Sequence, residues 1–222
     1  MRADWFVPTL AAHVPALADR LGIDRRIDRR VVALTFDDGP HADGTPAVLE
    51  ALAAAGATAT FFLVGEQVRA RPAVGAAIVA AGHEVALHGD RHTLLLRRAV
   101  RELAADLTRA TAAIEDATGR SPVLYRPPYG VFSSGALRLV RDRGLQPLLW
   151  SRWGRDWERR ATASSIARRA TGGLAPGDVV LLHDSDAYSS SGSWRATAAA
   201  LPSVIGAIAA LGVPACAVTH ST

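Results

Sequence analysis

The chain has 222 residues, 49% of them hydrophobic, with a formal charge of +4 and a pI near 10.1. That length and apolar content suit one globular domain with a sizeable core and exclude a disordered chain. No apolar run reaches the length of a membrane span, and the lone Cys216 excludes an internal disulfide.

Residues 1–30 read as an appended N-terminal helix and connector, ahead of a single catalytic-type domain over 31–222. The first residues lack the apolar stretch of a secretory signal, because polar residues, Pro8 and Pro15 interrupt them. The expected location is therefore the cytoplasm, or outside the cell if a leader has been removed. The connector holds the densest basic cluster, Arg25-Arg26-Ile27-Asp28-Arg29-Arg30. Asp28 interrupts it, and it reads as a solvated segment. The sequence contains no lysine, so arginine carries all the basic charge. With the abundant Ala and Gly this reads as a GC-rich codon bias, and no nucleic-acid partner is expected.

From residue 31 onward, strand and helix patterns alternate. Short apolar or β-branched runs predict strands at 31–36, 59–64, 83–87, 123–125, 146–150, 178–183 and 213–218. Thr45-Pro46 reads as a cap followed by proline at the first helical position, with Gly56 ending that helix. Pro72 opens the next helix and Gly82 closes it. Val100, Leu103, Leu107, Ile114 and Ala117 recur at helical spacing within 97–118, and Gly119 stops the run. Further helices run from Ser133 or Ser134 to Gly144, from Thr162 to near Gly172, and from Trp194 to Leu211. This alternation predicts a parallel sheet closed into a (β/α) barrel of seven or eight strands, distorted or incompletely closed. An open doubly wound sheet is the structural alternative. Asp-Asp-Gly-Pro replaces the glycine-rich phosphate turn after the first strand.

The polar residues gather at strand ends. Asp37 and Asp38 follow the first strand, and two carboxylates so close oppose each other's ionisation unless cations attend them. His88 and His92 follow the third strand, four residues apart. One carboxylate with paired imidazoles is the ligand set of a catalytic zinc-type site. Arg126 and Tyr129 follow the fourth strand, Asp156 and Trp157 the fifth, and His183 and Asp184 the sixth. In a parallel barrel all these ends share one face, where active sites are built. Each feature alone has a plain reading: Asp37-Asp38-Gly39 as a capped turn, the histidine pair as one face of a helix start, His183 as a core residue. Trp150, Trp153 and Trp157 suit core or rim, and sugar stacking where exposed, and the Ser-rich loop 185–193 reads as mobile. His13, His41, His83 and His220 receive no role.

Taken together, five segments in order resemble the motifs of the polysaccharide deacetylase family, the NodB homology domain of carbohydrate esterase family 4. They are Thr35-Phe36-Asp37-Asp38-Gly39-Pro40, His88-Gly89-Asp90-Arg91-His92, Arg126-Pro127-Pro128-Tyr129-Gly130, Asp156-Trp157 and Leu181-Leu182-His183-Asp184. The resemblance covers roughly residues 31–220. It implies that Asp38, His88 and His92 hold a divalent metal, zinc first, with cobalt, nickel or manganese as substitutes. It implies that Asp37 is the general base, held ionised and oriented by Arg126. The Tyr129 N–H would support the oxyanion. His183 would protonate the departing amine with Asp156 as its partner, and Trp157 and Leu181 would line a pocket for the acetyl methyl. The implied activity is metal-dependent removal of N-acetyl groups from amino sugars of a chitin- or peptidoglycan-like oligo- or polysaccharide. Deacylation or deformylation of a small non-polymeric amide is the second reading, and a carbohydrate-binding pseudoenzyme the third. Two positions depart from the pattern. Gly89 stands where the family often has Ser or Thr, and Trp153 stands where many members carry an acid three residues before Asp156.

Overall fold

The computed structural model describes residues 14–219. Residues 1–13, with His13, and residues 220–222, with His220, lie outside it. Helix α1 is Pro15–Arg20, with proline in its first turn. The strands are β1 (Val32–Asp37), β2 (Thr60–Leu63), β3 (Glu84–Leu87), β4 (Leu124–Tyr125), β5 (Gln146–Pro147), β6 (Arg152–Trp153), β7 (Val179–His183) and β8 (Ala215–Cys216). They form one open, strongly curled sheet in the order β5-β4-β3-β2-β1-β7-β6, with β8 paired to the start of β1. Every pairing is parallel. This is the incompletely closed (β/α) barrel, not the doubly wound alternative.

β1 is central and buried along its whole length, as its unbroken apolar run requires of a strand covered on both faces. Phe36 stacks on Phe61 of β2 at 5.1 Å in a core that also holds Leu34, Phe62, Leu87 and Leu182. Replacing Phe61, which is fully buried, by alanine leaves a cavity and should cost about 3–5 kcal/mol of unfolding free energy, readable by urea denaturation.

The remaining helices are α2 (Gly44–Ala54), α3 (Gly65–Ala70), α4 (Pro72–Ala80), α5 (Val100–Thr118), α6 (Ser134–Asp142), α7 (Ala163–Thr171) and α8 (Ser193–Ala209). Several ends match their sequence signals. Gly119 closes α5 in the left-handed region at φ 66°, and the Ser133 and Thr162 hydroxyls accept from Ala136 N and Ser165 N. α2 begins earlier than Thr45-Pro46 suggests. The His41 ring accepts from the Asp43 and Gly44 N–H groups, and this frees the Thr45 hydroxyl for Asp184.

Three further corrections have physical causes. Of the run expected at 146–150 only β5 (146–147) is strand, and β6 forms beyond it at 152–153, because 148–151 turns away to offer the carbonyls of Leu148 and Leu149 to Arg126. α3 lacks an apolar stripe long enough to announce a helix. The basic connector is not merely solvated. Arg26 pairs with the fully buried Asp178, Arg29 donates to Val218 O, and Asp24 bridges to Leu148 at the open edge of the sheet.

Candidate active site

Strand register brings the polar residues together. Asp37 of β1 lies beside His183 of β7, and Leu87 of β3 lies beside Tyr125 of β4, so His88 and Arg126 emerge as neighbours. Beyond β1 the chain reverses sharply. Asp38 sits in the left-handed region at φ 78°, a conformation that aspartate tolerates better than most residues. Gly39 follows because nothing larger fits, since a Cβ there would lie 2.5 Å from Asp184 Oδ2.

Asp38 Oδ1 lies 3.4 Å from His88 Nε2 and 3.3 Å from His92 Nε2. The donor atoms of these three residues all fall within 4.8 Å of one another. The chemistry of the set suits a divalent ion. His88 Nδ1 donates to the Arg126 carbonyl at 2.8 Å, which leaves the Nε2 lone pair facing inward. Burial, with His88 and His183 beside it, pushes His92 down to about 4 against the pull of Asp38 and Asp37, so its ring is neutral and able to ligate. Burial opposes ionisation of Asp38, yet His88, His183 and His92 hold it down to about 2. Its buried Oδ1 has no hydrogen-bond partner among the described residues. A cation would fill that need.

Asp37 stands beside this set. Its Oδ1 accepts from Arg126 Nη1 at 2.6 Å, and its Oδ2 lies 3.8 Å from His88 Nε2. Arg126 is fully buried. It also donates to Thr35 Oγ1 at 2.9 Å and to the Leu148 and Leu149 carbonyls, and its guanidinium lies 4.0 Å over the Phe62 ring. Burial lowers its pKa, and Asp37 opposes that shift.

Across the site, His183 Nε2 lies 4.0 Å from Asp38 Oδ2, and His183 Nδ1 lies 2.9 Å from Asp156 Oδ1. The other Asp156 oxygen accepts from the His183 N–H at 2.7 Å and from Thr197 Oγ1 at 2.8 Å. Burial disfavours protonated His183, but the charge and hydrogen bond of Asp156, with Asp38 and Asp37, push it up to about 10.

A cavity of about 260 Å³ opens onto these groups. Trp157 and Leu181 line it, and Tyr129 lies at its edge, 59% exposed and at φ 61°. Arg126 and Asp156 stand behind the wall as partners of Asp37 and His183. Every candidate site residue read from the sequence is therefore here. The lining also includes Trp150, Trp153, Tyr188 and Ser189. The tryptophan positions were ambiguous in sequence, and Tyr188 carried no signal beyond its closeness to His183.

Both departures from the family pattern have a structural account. Gly89 adopts φ 92°, and a Cβ there would sit 3.4 Å from Asp106 Oδ2. Asp106, on α5, accepts from the Asp90 N–H at 2.8 Å and so braces the His88–His92 loop. Trp153 stacks on Trp150 at 5.8 Å and meets Trp157 at a tilt of 58° and 5.4 Å, making an indole row that ends against His183.

Known proteins resemble this chain in sequence and in fold. The sequence model of the polysaccharide deacetylase family matches residues 24–148. A chitooligosaccharide deacetylase from Azorhizobium caulinodans is 35% identical over 188 residues, which are 82% of this chain and 89% of that protein. The crystal structure of the Bc1960 peptidoglycan N-acetylglucosamine deacetylase superposes with a TM-score of 0.81 at 27% identity, covering 88% of this chain and 89% of that one. A pseudoenzyme of carbohydrate esterase family 4 from Bacillus anthracis superposes with a TM-score of 0.79 at 25% identity, covering 88% of this chain and 66% of that one.

Proposed function

The chain belongs to the polysaccharide deacetylase family and is a hydrolase of non-peptide carbon–nitrogen bonds, and we propose that it removes N-acetyl groups from amino sugars of an oligo- or polysaccharide with a divalent metal, zinc first. The observation that carries this reading is the Asp38–His88–His92 donor set, flanked on one side by Asp37 clamped to Arg126 and on the other by His183 clamped to Asp156.

When bound, such an ion supplies Lewis-acid polarisation of the amide carbonyl and acidifies water. Asp37 takes the proton of the attacking water through Oδ2, since Arg126 holds Oδ1. The Tyr129 N–H donates to the oxygen on which negative charge develops. His183 delivers the Nε2 proton to the amine nitrogen as the C–N bond breaks, because an unprotonated amine is a poor leaving group. Trp157 and Leu181 receive the acetyl methyl.

The test is elemental analysis of the purified protein together with acetate release from chito-oligomers, peptidoglycan fragments and small amides. Turnover of small amides alone would replace the polysaccharide substrate with a non-polymeric one. Sugar binding without acetate release by fully loaded protein would contradict the assigned roles.

A pH profile checks the His183 assignment. A general acid works while protonated, so the rate falls as pH rises through its pKa. Asp156→Asn removes the charge that most favours protonated His183. The alkaline limb of kcat should therefore move to lower pH by at least one unit. An unmoved limb would mean that another group supplies the proton.

A further inference from the structure

The two imidazoles of the proposed metal site are held in different ways. A metal-ligating histidine usually donates its second ring N–H to a fixed acceptor, which sets both tautomer and ring orientation. His88 does so through the Arg126 carbonyl at 2.8 Å. His92 does not. Its Nδ1 is buried and meets no hydrogen-bond partner among the described residues. Its ring is instead held by aromatic contacts. The Tyr188 ring stacks flat on it, with centroids 4.4 Å apart and 12° between planes, and Tyr129 meets it edge-on at 4.6 Å and 64°.

Tyr188 is itself fixed. Its hydroxyl donates to Glu66 Oε1 at 2.6 Å and accepts from Gln67 Nε2 at 3.0 Å. Both partners lie in the first turn of α3, and that same turn holds the backbone of the histidine loop. Gly65 N donates to Gly89 O at 2.9 Å, and Glu66 N donates to Asp90 O at 3.0 Å. One short helix therefore anchors the loop that bears His92 and the tyrosine that lies on its ring. Near the start of the 185–193 loop, Asp186 meets His41 at 3.1 Å and accepts from Gly192 N at 2.6 Å, which ties the loop's two ends together. The loop crosses the site as a tethered strap.

We propose that Tyr188 is a positioning residue for His92, taking by ring stacking the part that a second-nitrogen hydrogen bond plays for His88. The inference rests on the metal reading above. The contact is favourable in the loaded state, because a ligated imidazole carries positive charge over the tyrosine face. It restricts rotation of His92 about its side-chain bonds, so the ligand atom stays aimed at Asp38 before any ion arrives.

The test compares wild type, Tyr188→Phe and Tyr188→Ala. Zinc affinity is measured by competition with a chromophoric chelator, and the cobalt-substituted proteins are compared by visible absorption. Loss of a partner that orients a ligand costs about 10–100-fold in metal affinity. Tyr188→Ala should weaken zinc binding by at least about 10-fold and change the cobalt spectrum, while Tyr188→Phe, which keeps the ring, retains most of the affinity. The metal-free proteins should unfold at similar temperatures, since Tyr188 is only part-buried on a loop. Zinc binding by Tyr188→Ala within twofold of wild type, with an unchanged cobalt spectrum, would overturn the positioning role alone. A fall in Tyr188→Phe as deep as in Tyr188→Ala would overturn the stacking account. Failure of the wild-type protein to take up zinc would overturn the metal reading as well.

Discussion

Asp37→Asn should lower acetate release by about 10²–10⁴-fold, the usual worth of a positioned general base, while leaving zinc bound with near wild-type affinity. The separation follows from geometry. Asp37 does not share the short contacts that join Asp38 to His88 and His92: its Oδ1 is held by Arg126 at 2.6 Å, and its Oδ2 lies 3.8 Å from His88 Nε2. Asparagine keeps the shape and an oxygen for that guanidinium but cannot take a proton from water. His88→Ala should show the reverse order of events. It removes a ligand and leaves the buried Arg126 carbonyl without its donor, so zinc affinity should fall by more than the roughly 100-fold that loss of an outer partner costs. Turnover falls with it. Near-normal rates from zinc-loaded Asp37→Asn would remove the base assignment. Full zinc binding by His88→Ala would remove the ligand assignment.

Much of this arrangement was legible in the sequence, because the chemistry sits at strand ends and strand ends announce themselves. An apolar run that stops on Asp37-Asp38-Gly39-Pro40 places its own polar residues, and a parallel order of strands then places those residues beside others far away in the chain. What stayed unread depends on contacts between distant segments. β6 is only Arg152 and Trp153, too short to show a pattern, and Arg152 also pairs with Asp178 just ahead of β7. α3 is six residues long, and its value lies in backbone donors to Gly89 and Asp90 that no side-chain pattern reveals. Tyr188 lies in a serine-rich loop whose composition suggests mobility. The partners that tether it, Glu66 and Gln67, are over a hundred residues earlier. Trp153 was open between core, rim and sugar stacking, until its neighbours showed a continuous indole wall.

Arg126→Met should destabilise the fold by about 3–5 kcal/mol, as breaking one side of a buried ion pair does, and should reduce turnover as severely as loss of Asp37. Methionine fills much of the same volume, so the cavity contribution is small. What remains is a set of groups arranged around a charge that has gone. Thr35 Oγ1, the Leu148 and Leu149 carbonyls and the Asp37 carboxylate all lose their donor in a fully buried place. The carboxylate is the costliest of these, because its Oδ1 faces the buried guanidinium and an ionised group left there without its charged donor keeps its desolvation penalty. The double variant Asp37→Asn with Arg126→Met separates the two contributions. If the buried charge dominates, the arginine substitution costs less in the asparagine background, and the coupling between the two sites reaches about 1–3 kcal/mol. Additive costs would mean that Arg126 serves the edge of the sheet, through Leu148 and Leu149, more than it serves Asp37. A single Arg126→Met protein as stable and as active as wild type would show that the base needs no buried cation to hold it, and the link between strand β4 and the chemistry at β1 would be lost.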